Sequence, residues 1–168
     1  CMQESFKAGK VTTLSGVNTI ADGTAVKTPG TIIFPYVSQN LDEIITVEDE
    51  ELVVAFLDMV ENHKMIIENS GLLTVAALKH LDVQNKKIVS ILSGGNMDVI
   101  TMSSVVQQGL VLRDRIFSVS VLLPDKPGEL SRVSDVIARQ NGNVIKLEHN
   151  KFVSINRNAA VELRITME

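Results

Sequence analysis

Short apolar runs alternate with longer amphipathic stretches over the first two-thirds of the chain. The runs lie at 44–47, 65–67 and 88–92, and their length and composition predict buried strands. Apolar residues at helical spacing predict helices at 49–64, 72–79 and 98–109. Strands that are joined by whole helices imply parallel pairing with right-handed crossovers. The pattern therefore predicts an α/β fold with an open, mostly parallel sheet.

The pattern changes near Arg113. Strands are predicted at 116–123, 143–149 and 159–166, with an amphipathic helix at 130–137 after the first of them. Asn141-Gly142 ends this helix, and a polar turn at 156–158 separates the last two strands. The order β-α-β-β is the first two-thirds of a ferredoxin-like unit. We therefore predict one domain over 1–112 and a second, incomplete domain over 113–168.

Composition narrows the classes of function. The chain has 168 residues, 45% of them apolar, and a formal net charge of −4. This charge favours neither nucleic acid nor an anionic membrane surface as a partner, and no apolar stretch approaches a membrane span. One Cys and three scattered His give no metal-ligand spacing, so we predict no metal site. The charge, the lack of a membrane span and the single Cys together predict a cytoplasmic location. Because ribosomal synthesis does not begin with Cys, Cys1 indicates a piece of a longer protein.

The segment Ser93-Gly94-Gly95-Asn96 directly follows the apolar run at 88–92. A strand that ends in such residues delivers polar groups to the carboxyl edge of a sheet, where open α/β folds bind ligands. Glycines allow the backbone to approach a flat ring closely, and Ser93 offers an uncharged hydrogen bond to a ring nitrogen. The alternative is a simple turn after a strand.

Four landmarks, taken together, carry a resemblance to a known family. They are Thr19-Ile20-Ala21-Asp22-Gly23, Val47-Glu48-Asp49-Glu50-Glu51, Glu68 with Gly71 and Ala76-Ala77-Leu78, and Ser93-Gly94-Gly95-Asn96. In this order the chain resembles the C-terminal part of the threonine ammonia-lyases (threonine dehydratases). Serine racemases and serine dehydratases share much of this pattern. The segment Asp125-Lys126-Pro127-Gly128-Glu129-Leu130 resembles the loop of a regulatory ACT domain.

The resemblance implies a pyridoxal 5'-phosphate enzyme of fold type II. It places Ser93 opposite the pyridine nitrogen, with Gly94 and Gly23 against the cofactor, and Glu68 near the ring in a supporting role. Glu68 has an alternative interpretation as an acidic residue at a helix start. The lysine that forms the Schiff base and the phosphate-binding glycines belong to upstream sequence, so we predict no catalytic residue in this chain. Lys7, in a similar Ser-Phe-Lys context, is expected to be a surface lysine at a helix end.

The ACT resemblance implies an effector pocket formed by Asp125, Gly128, Glu129 and Leu130. Free backbone N–H groups at the helix start suit an amino-acid carboxylate, with isoleucine or valine as candidate effectors. Such sites are usually shared across a subunit interface, so we expect a homo-oligomer. The alternative is a turn in a domain that only joins subunits.

The resemblance thus implies part of an enzyme that converts L-threonine into 2-oxobutanoate and ammonia. This chain by itself is expected to be inactive, because it lacks the Schiff-base lysine and the phosphate loop. Two alternatives stay open: a relative of the serine dehydratase or serine racemase type, and a non-catalytic fragment that senses amino acids or dimerises. The direction of regulation does not follow from the sequence, since activation and inhibition require the same pocket.

Overall fold

A computed structural model describes residues 1–150 and 160–168 of the chain. They form two compact units, Cys1–Gly109 and Leu110–Glu168. The first unit contains helices α1 (Met2–Ala8), α2 (Phe34–Asn40), α3 (Asp49–Asp58), α4 (Leu73–Ala76) and most of α5 (Val99–Leu112). The predicted boundary at 112/113 lies at the end of α5, close to this division, and as a boundary between domains it remains a prediction.

Helix α3 begins with a capping box formed by Glu48 and Glu51. The side chain of Glu48 accepts from the backbone of Glu51, while the carboxylate of Glu51 accepts the Glu48 N–H at 2.9 Å. The Glu48 N–H, and next the ring of His80, hold the pKa of the Glu51 carboxyl below its ordinary value. The helix continues as a π-helical turn over Met59–His63, and Lys64 ends it in a left-handed conformation. The predicted end near His63 is confirmed.

The other two predicted helices are also present. Residues 69–80 form consecutive short helical turns around α4, which covers the predicted stretch. Asp98 precedes α5, and its carboxylate accepts the N–H groups of Ile100 and Thr101, both at 2.9 Å. This carboxylate is therefore the N-cap of α5.

The three strands predicted in the first unit are not formed. The segments 44–47, 65–67 and 88–92 have no ladder partner among the described residues. A strand exists only when a neighbour accepts and donates its backbone hydrogen bonds. The apolar side chains of the third segment stay exposed, with Val89 at 89% and Ile91 at 73%. An apolar run therefore does not form a strand by itself, because it also needs a neighbouring strand to pair with.

The core of the first unit lies mainly between α3, the turn at 69–72 and α5. Phe56 and Leu72 are completely buried in it. Gly109 of α5 faces α3, where an added Cβ would lie 3.3 Å from Leu57 Cδ2 and 3.4 Å from Val53 Cγ1. This glycine therefore allows the two helices to approach closely.

The second unit contains β1 (Phe117–Pro124), α6 (Glu129–Arg139), β2 (Val144–Asn150) and β3 (Ala160–Met167). Strand β3 lies between β1 and β2 and is antiparallel to both. This is the split β-α-β arrangement of a ferredoxin-like half, as predicted. Alternate residues of β3 are buried together, and α6 packs on the same face. The predicted turn at 156–158 lies outside the described residues.

Within the described part of the chain, no helix is both long enough and apolar enough to cross a membrane.

Candidate functional site

The turn at 68–71 brings together the residues that the sequence analysis assigned to the cofactor. The Glu68 N–H donates to the Gly94 carbonyl at 3.3 Å, and Glu68 Oε2 accepts the Asn96 N–H at 3.2 Å. On the other side, an added Cβ at Gly23 would lie 3.7 Å from Glu68 Oε1. Gly23, Glu68 and Gly94 therefore form one cluster, with Ser93 directly before Gly94. Ser93 and Gly94 are exposed at its surface.

Two glycines, Gly94 of this cluster and Gly71 of the turn at 68–71, have no room for a side chain. An added Cβ at Gly94 would lie 2.1 Å from the carboxyl carbon of Glu68, and Gly94 has a φ of 78°. An added Cβ at Gly71 would lie 1.8 Å from the carbonyl oxygen of Ser93. At Gly71 the backbones of the turn and of the loop at 93–96 are therefore in contact, and at Gly94 the carboxyl group of Glu68 fills the place of a side chain. Gly94 is assigned to the cofactor by the family resemblance, and its close neighbour in the structure is Glu68.

Asp49 fixes the loop that carries Gly23. Its carboxylate accepts the Thr19 hydroxyl at 2.6 Å and the Ile20 N–H at 3.1 Å. The amide nitrogen of Asn69 donates to the Ile20 carbonyl at 3.0 Å, which joins the same loop to the turn at 68–71. Asp49 lies in a run of acidic residues at the start of α3, yet its carboxylate holds a loop that is distant in the sequence.

A cavity of about 430 Å³ lies beside the cluster. Glu68, Asn96 and Asp98 contribute to its wall, while Ser93, Gly94 and Gly23 do not. The hydroxyl of Thr101, followed by the backbone N–H groups at the start of α5, holds the pKa of the Asp98 carboxyl below its ordinary value. The wall of this cavity therefore combines carboxyl and amide groups with the apolar side chains of Ile20, Ile100 and Val105.

Two buried polar atoms near the cluster have no hydrogen-bond partner, Oδ1 of Asn69 and Oγ of Ser70. The second lies only 2.8 Å from the position of an added Cβ at Gly23. Buried polar atoms without partners are uncommon in folded proteins and point to a functional or strained place. Asn69 and Ser70, which carry these two atoms, directly follow Glu68 in the sequence and belong to the turn at 68–71.

Lys7 lies apart from these contacts, at the end of α1. Its ammonium pairs with Glu4 at 3.1 Å, and its side chain is 62% exposed. The expectation of a surface lysine at a helix end is confirmed. Across residues 1–150 and 160–168, no three His, Cys, Asp or Glu side chains are grouped closely enough to hold a metal ion.

In the second unit, the four predicted effector residues line one cavity of about 370 Å³. Its walls combine aliphatic side chains of β1 and β3 with the charged loop at 125–129. Gly128 precedes α6 in a left-handed conformation, with a φ of 93° and no side-chain cap. The carboxylate of Glu129 pairs with Arg132 at 3.2 Å. His149 also contributes to this cavity, from the end of β2. The sequence did not indicate this, because only the pairing of β2 with β3 brings His149 there.

Comparisons with known proteins give a consistent picture. The family described as "Pyridoxal-phosphate dependent enzyme" matches residues 1–94. The chain is 36% identical over 151 residues to the L-threonine ammonia-lyase of Thermotoga maritima. The matched residues make up 89% of this chain and 38% of that protein. It is 38% identical to the L-threonine ammonia-lyase of Geobacter sulfurreducens, covering 88% of this chain and 37% of that protein. The chain thus spans less than two-fifths of the length of these relatives.

Solved structures agree with the sequence matches. The processed form of threonine deaminase isoform 2 from Solanum lycopersicum superimposes with a TM-score of 0.58 at 29% identity, over 64% of this chain and 32% of that one. Maize serine racemase superimposes with a TM-score of 0.55 at 34% identity, over 61% and 34% of the two chains. These similarities confirm the predicted fold class, an α/β chain that is part of a fold-type-II enzyme.

Proposed function

The chain belongs to the family of pyridoxal-phosphate dependent enzymes, and on this premise we propose that it is part of a threonine ammonia-lyase. In this proposal the parent protein converts L-threonine into 2-oxobutanoate and ammonia, and this chain supplies the ring side of the cofactor site. The observation that carries the proposal is the cluster of Gly23, Glu68 and Gly94 beside Ser93. The two threonine ammonia-lyase relatives support the choice of substrate.

The residues of the cluster fit one edge of a pyridine ring. Ser93 is exposed and presents an uncharged hydroxyl, while Gly94 and Gly23 present backbone without a side chain. The Oγ of Ser70, which is buried beside Gly23 without a hydrogen-bond partner, supports this assignment, because such atoms are uncommon in folded proteins. Pyridoxal phosphate supplies the electron sink for the reaction when it is bound. Ser93 then orients the ring through a neutral hydrogen bond, which does not force a proton onto the ring nitrogen as a carboxylate partner would.

The experiment uses the longer polypeptide that contains this chain, expressed at the length of its relatives. We expect it to bind pyridoxal phosphate and to release ammonia and 2-oxobutanoate from L-threonine. Ser93→Ala should change the absorbance of the bound cofactor and weaken its binding, whereas Ser90→Ala, in the preceding apolar segment, should leave both unchanged. An unaltered spectrum and affinity in Ser93→Ala would refute the role of Ser93.

L-serine, offered in the same assay, separates the proposal from its closest rival. The similarity to maize serine racemase makes a serine-specific activity the second candidate. Faster turnover of L-serine than of L-threonine, or formation of D-serine, would favour a serine dehydratase or racemase over a threonine ammonia-lyase.

We further propose that the second unit binds an amino-acid effector in the cavity lined by Asp125, Gly128, Glu129 and Leu130. The uncapped start of α6 offers backbone N–H groups to a carboxylate, and the neighbouring carboxylates suit an ammonium group. The aliphatic part of the wall suits a side chain such as that of isoleucine or valine. The rival is a domain that only joins subunits.

A calorimetric titration of the chain with isoleucine and valine tests the effector site. Leu130→Ser should weaken binding, because it removes apolar wall, while Leu122→Ser changes a leucine that is 73% exposed and does not line this cavity. Equal binding by the two variants would contradict the assignment. The mass of the protein in solution, measured with and without isoleucine, tests the proposed homo-oligomer.

The proposed compartment of the protein is the cytoplasm.

A further inference from the structure

The loop at 93–96 is held from one side by the turn at 68–71. The contact between Glu68 and this loop is reciprocal, since the Glu68 N–H donates to the Gly94 carbonyl and the Glu68 carboxylate accepts the Asn96 N–H. These two bonds fix the backbone on both sides of Gly95. A bond from a backbone N–H to a charged carboxylate is among the stronger hydrogen bonds of a protein.

The carboxylate of Glu68 lies where any other residue at position 94 would place its side chain. An added Cβ at Gly94 would lie 2.4 Å from both carboxylate oxygens. Gly71, at the other end of the turn, approaches the Ser93 carbonyl in the same way. The turn and the loop are therefore matched in shape, and the carboxylate contacts the loop at the residue after Ser93.

We propose that Glu68 is a positioning residue, which sets the place of Ser93 by clamping the loop through the Asn96 N–H. The inference rests on the proposed function, because it concerns how the partner of the pyridine nitrogen is held. It goes beyond the expected supporting role of Glu68 near the ring, since it names the group through which Glu68 acts. An oxygen acceptor at position 68 is required, and a full negative charge is not.

The first test is made on the chain itself, without cofactor, by measuring hydrogen exchange and the chemical shift of the Asn96 amide at one pH. Glu68→Ala removes the acceptor and should speed exchange of the Asn96 amide and move its resonance, whereas Glu68→Gln keeps an acceptor and should preserve most of the protection. Glu43→Ala, which removes an exposed carboxylate elsewhere in the chain, should leave both unchanged. Unchanged exchange and an unchanged Asn96 resonance in Glu68→Ala would overturn the proposal.

The second test compares cofactor binding in the longer polypeptide. Glu68→Ala should weaken binding of pyridoxal phosphate about tenfold, because Ser93 is no longer held, whereas Glu68→Gln keeps an acceptor and should stay within about twofold. Equal losses in Glu68→Ala and Glu68→Gln would overturn the positioning role. Unchanged binding in Ser93→Ala would refute the role of Ser93, whereas a wild-type polypeptide that does not deaminate L-threonine would refute the proposed function, whatever the Asn96 amide shows. The two failures are therefore distinguishable.

Discussion

Replacing Gly94 by alanine tests the packing of the candidate site most severely. The φ of 78° lies in the left-handed region, which costs an alanine about 1–2 kcal/mol. The new Cβ would also lie 2.1 Å from the Glu68 carboxyl carbon, so the carboxylate must move and release the Asn96 N–H. This bond is exposed, and its loss adds about 1 kcal/mol. We therefore expect Gly94→Ala to lower the free energy of unfolding by about 2–3 kcal/mol.

Urea unfolding of the chain measures this loss, with Gly95→Ala as the matched control. An added Cβ at Gly95 meets no atom closer than the Ile66 carbonyl oxygen at 4.0 Å, and Gly95 is not among the glycines with positive φ. The control should therefore change stability by no more than about 1 kcal/mol. Equal unfolding free energies for the two variants would show that Glu68 does not lie against Gly94.

Three further predictions concern the surrounding structure. Asp49→Asn should destabilise the chain by about 1–3 kcal/mol and broaden the Ile20 amide resonance, because the loop that carries Gly23 loses its charged acceptor; an unchanged Ile20 resonance would contradict this. Leu163→Ala should cost about 2–5 kcal/mol, since Leu163 is completely buried in the sheet, and faster hydrogen exchange in β3 would report it. Because the pKa of Glu51 is lowered from 4.5, its contribution to stability should be present above pH 4.5 and be lost as the pH falls through the folded value. The difference in unfolding free energy between Glu51→Gln and wild type should therefore shrink in acid. Glu50→Gln is the matched control, and its difference from wild type should not shrink in the same way.

Local signals predicted helices α3 to α6 and the second unit well, whereas α2 (Phe34–Asn40) was not predicted. Helical spacing and acidic residues at helix starts located α3 and α5, and the β-α-β-β order of the second unit was correct because each strand finds its neighbour within the same segment. The strands of the first unit were wrong for a related reason. Their apolar runs are real, but a strand needs a partner, and within the described residues 88–92 has none.

The residues of the candidate site were chosen from the sequence, whereas the contacts among them could not be predicted from it. Gly23, Glu68 and Gly94 were chosen through the family resemblance, and the structure places them together. Sequence could not show that Glu68 occupies the side-chain space of Gly94, since that contact joins residues far apart in the chain. The role of Asp49 was missed for the same reason, since its contacts also join distant residues. Its run of acidic neighbours is, moreover, typical of an ordinary helix start.

The most direct measurement of the central claim is deamination of L-threonine by the longer polypeptide that contains this chain, compared between wild type and Ser93→Ala. The account predicts that wild type binds pyridoxal phosphate and releases 2-oxobutanoate with ammonia, and that Ser93→Ala binds the cofactor more weakly with an altered spectrum. A wild-type polypeptide that binds the cofactor but leaves L-threonine unchanged would contradict the proposed function. Wild-type spectrum and activity in Ser93→Ala would contradict the proposed site.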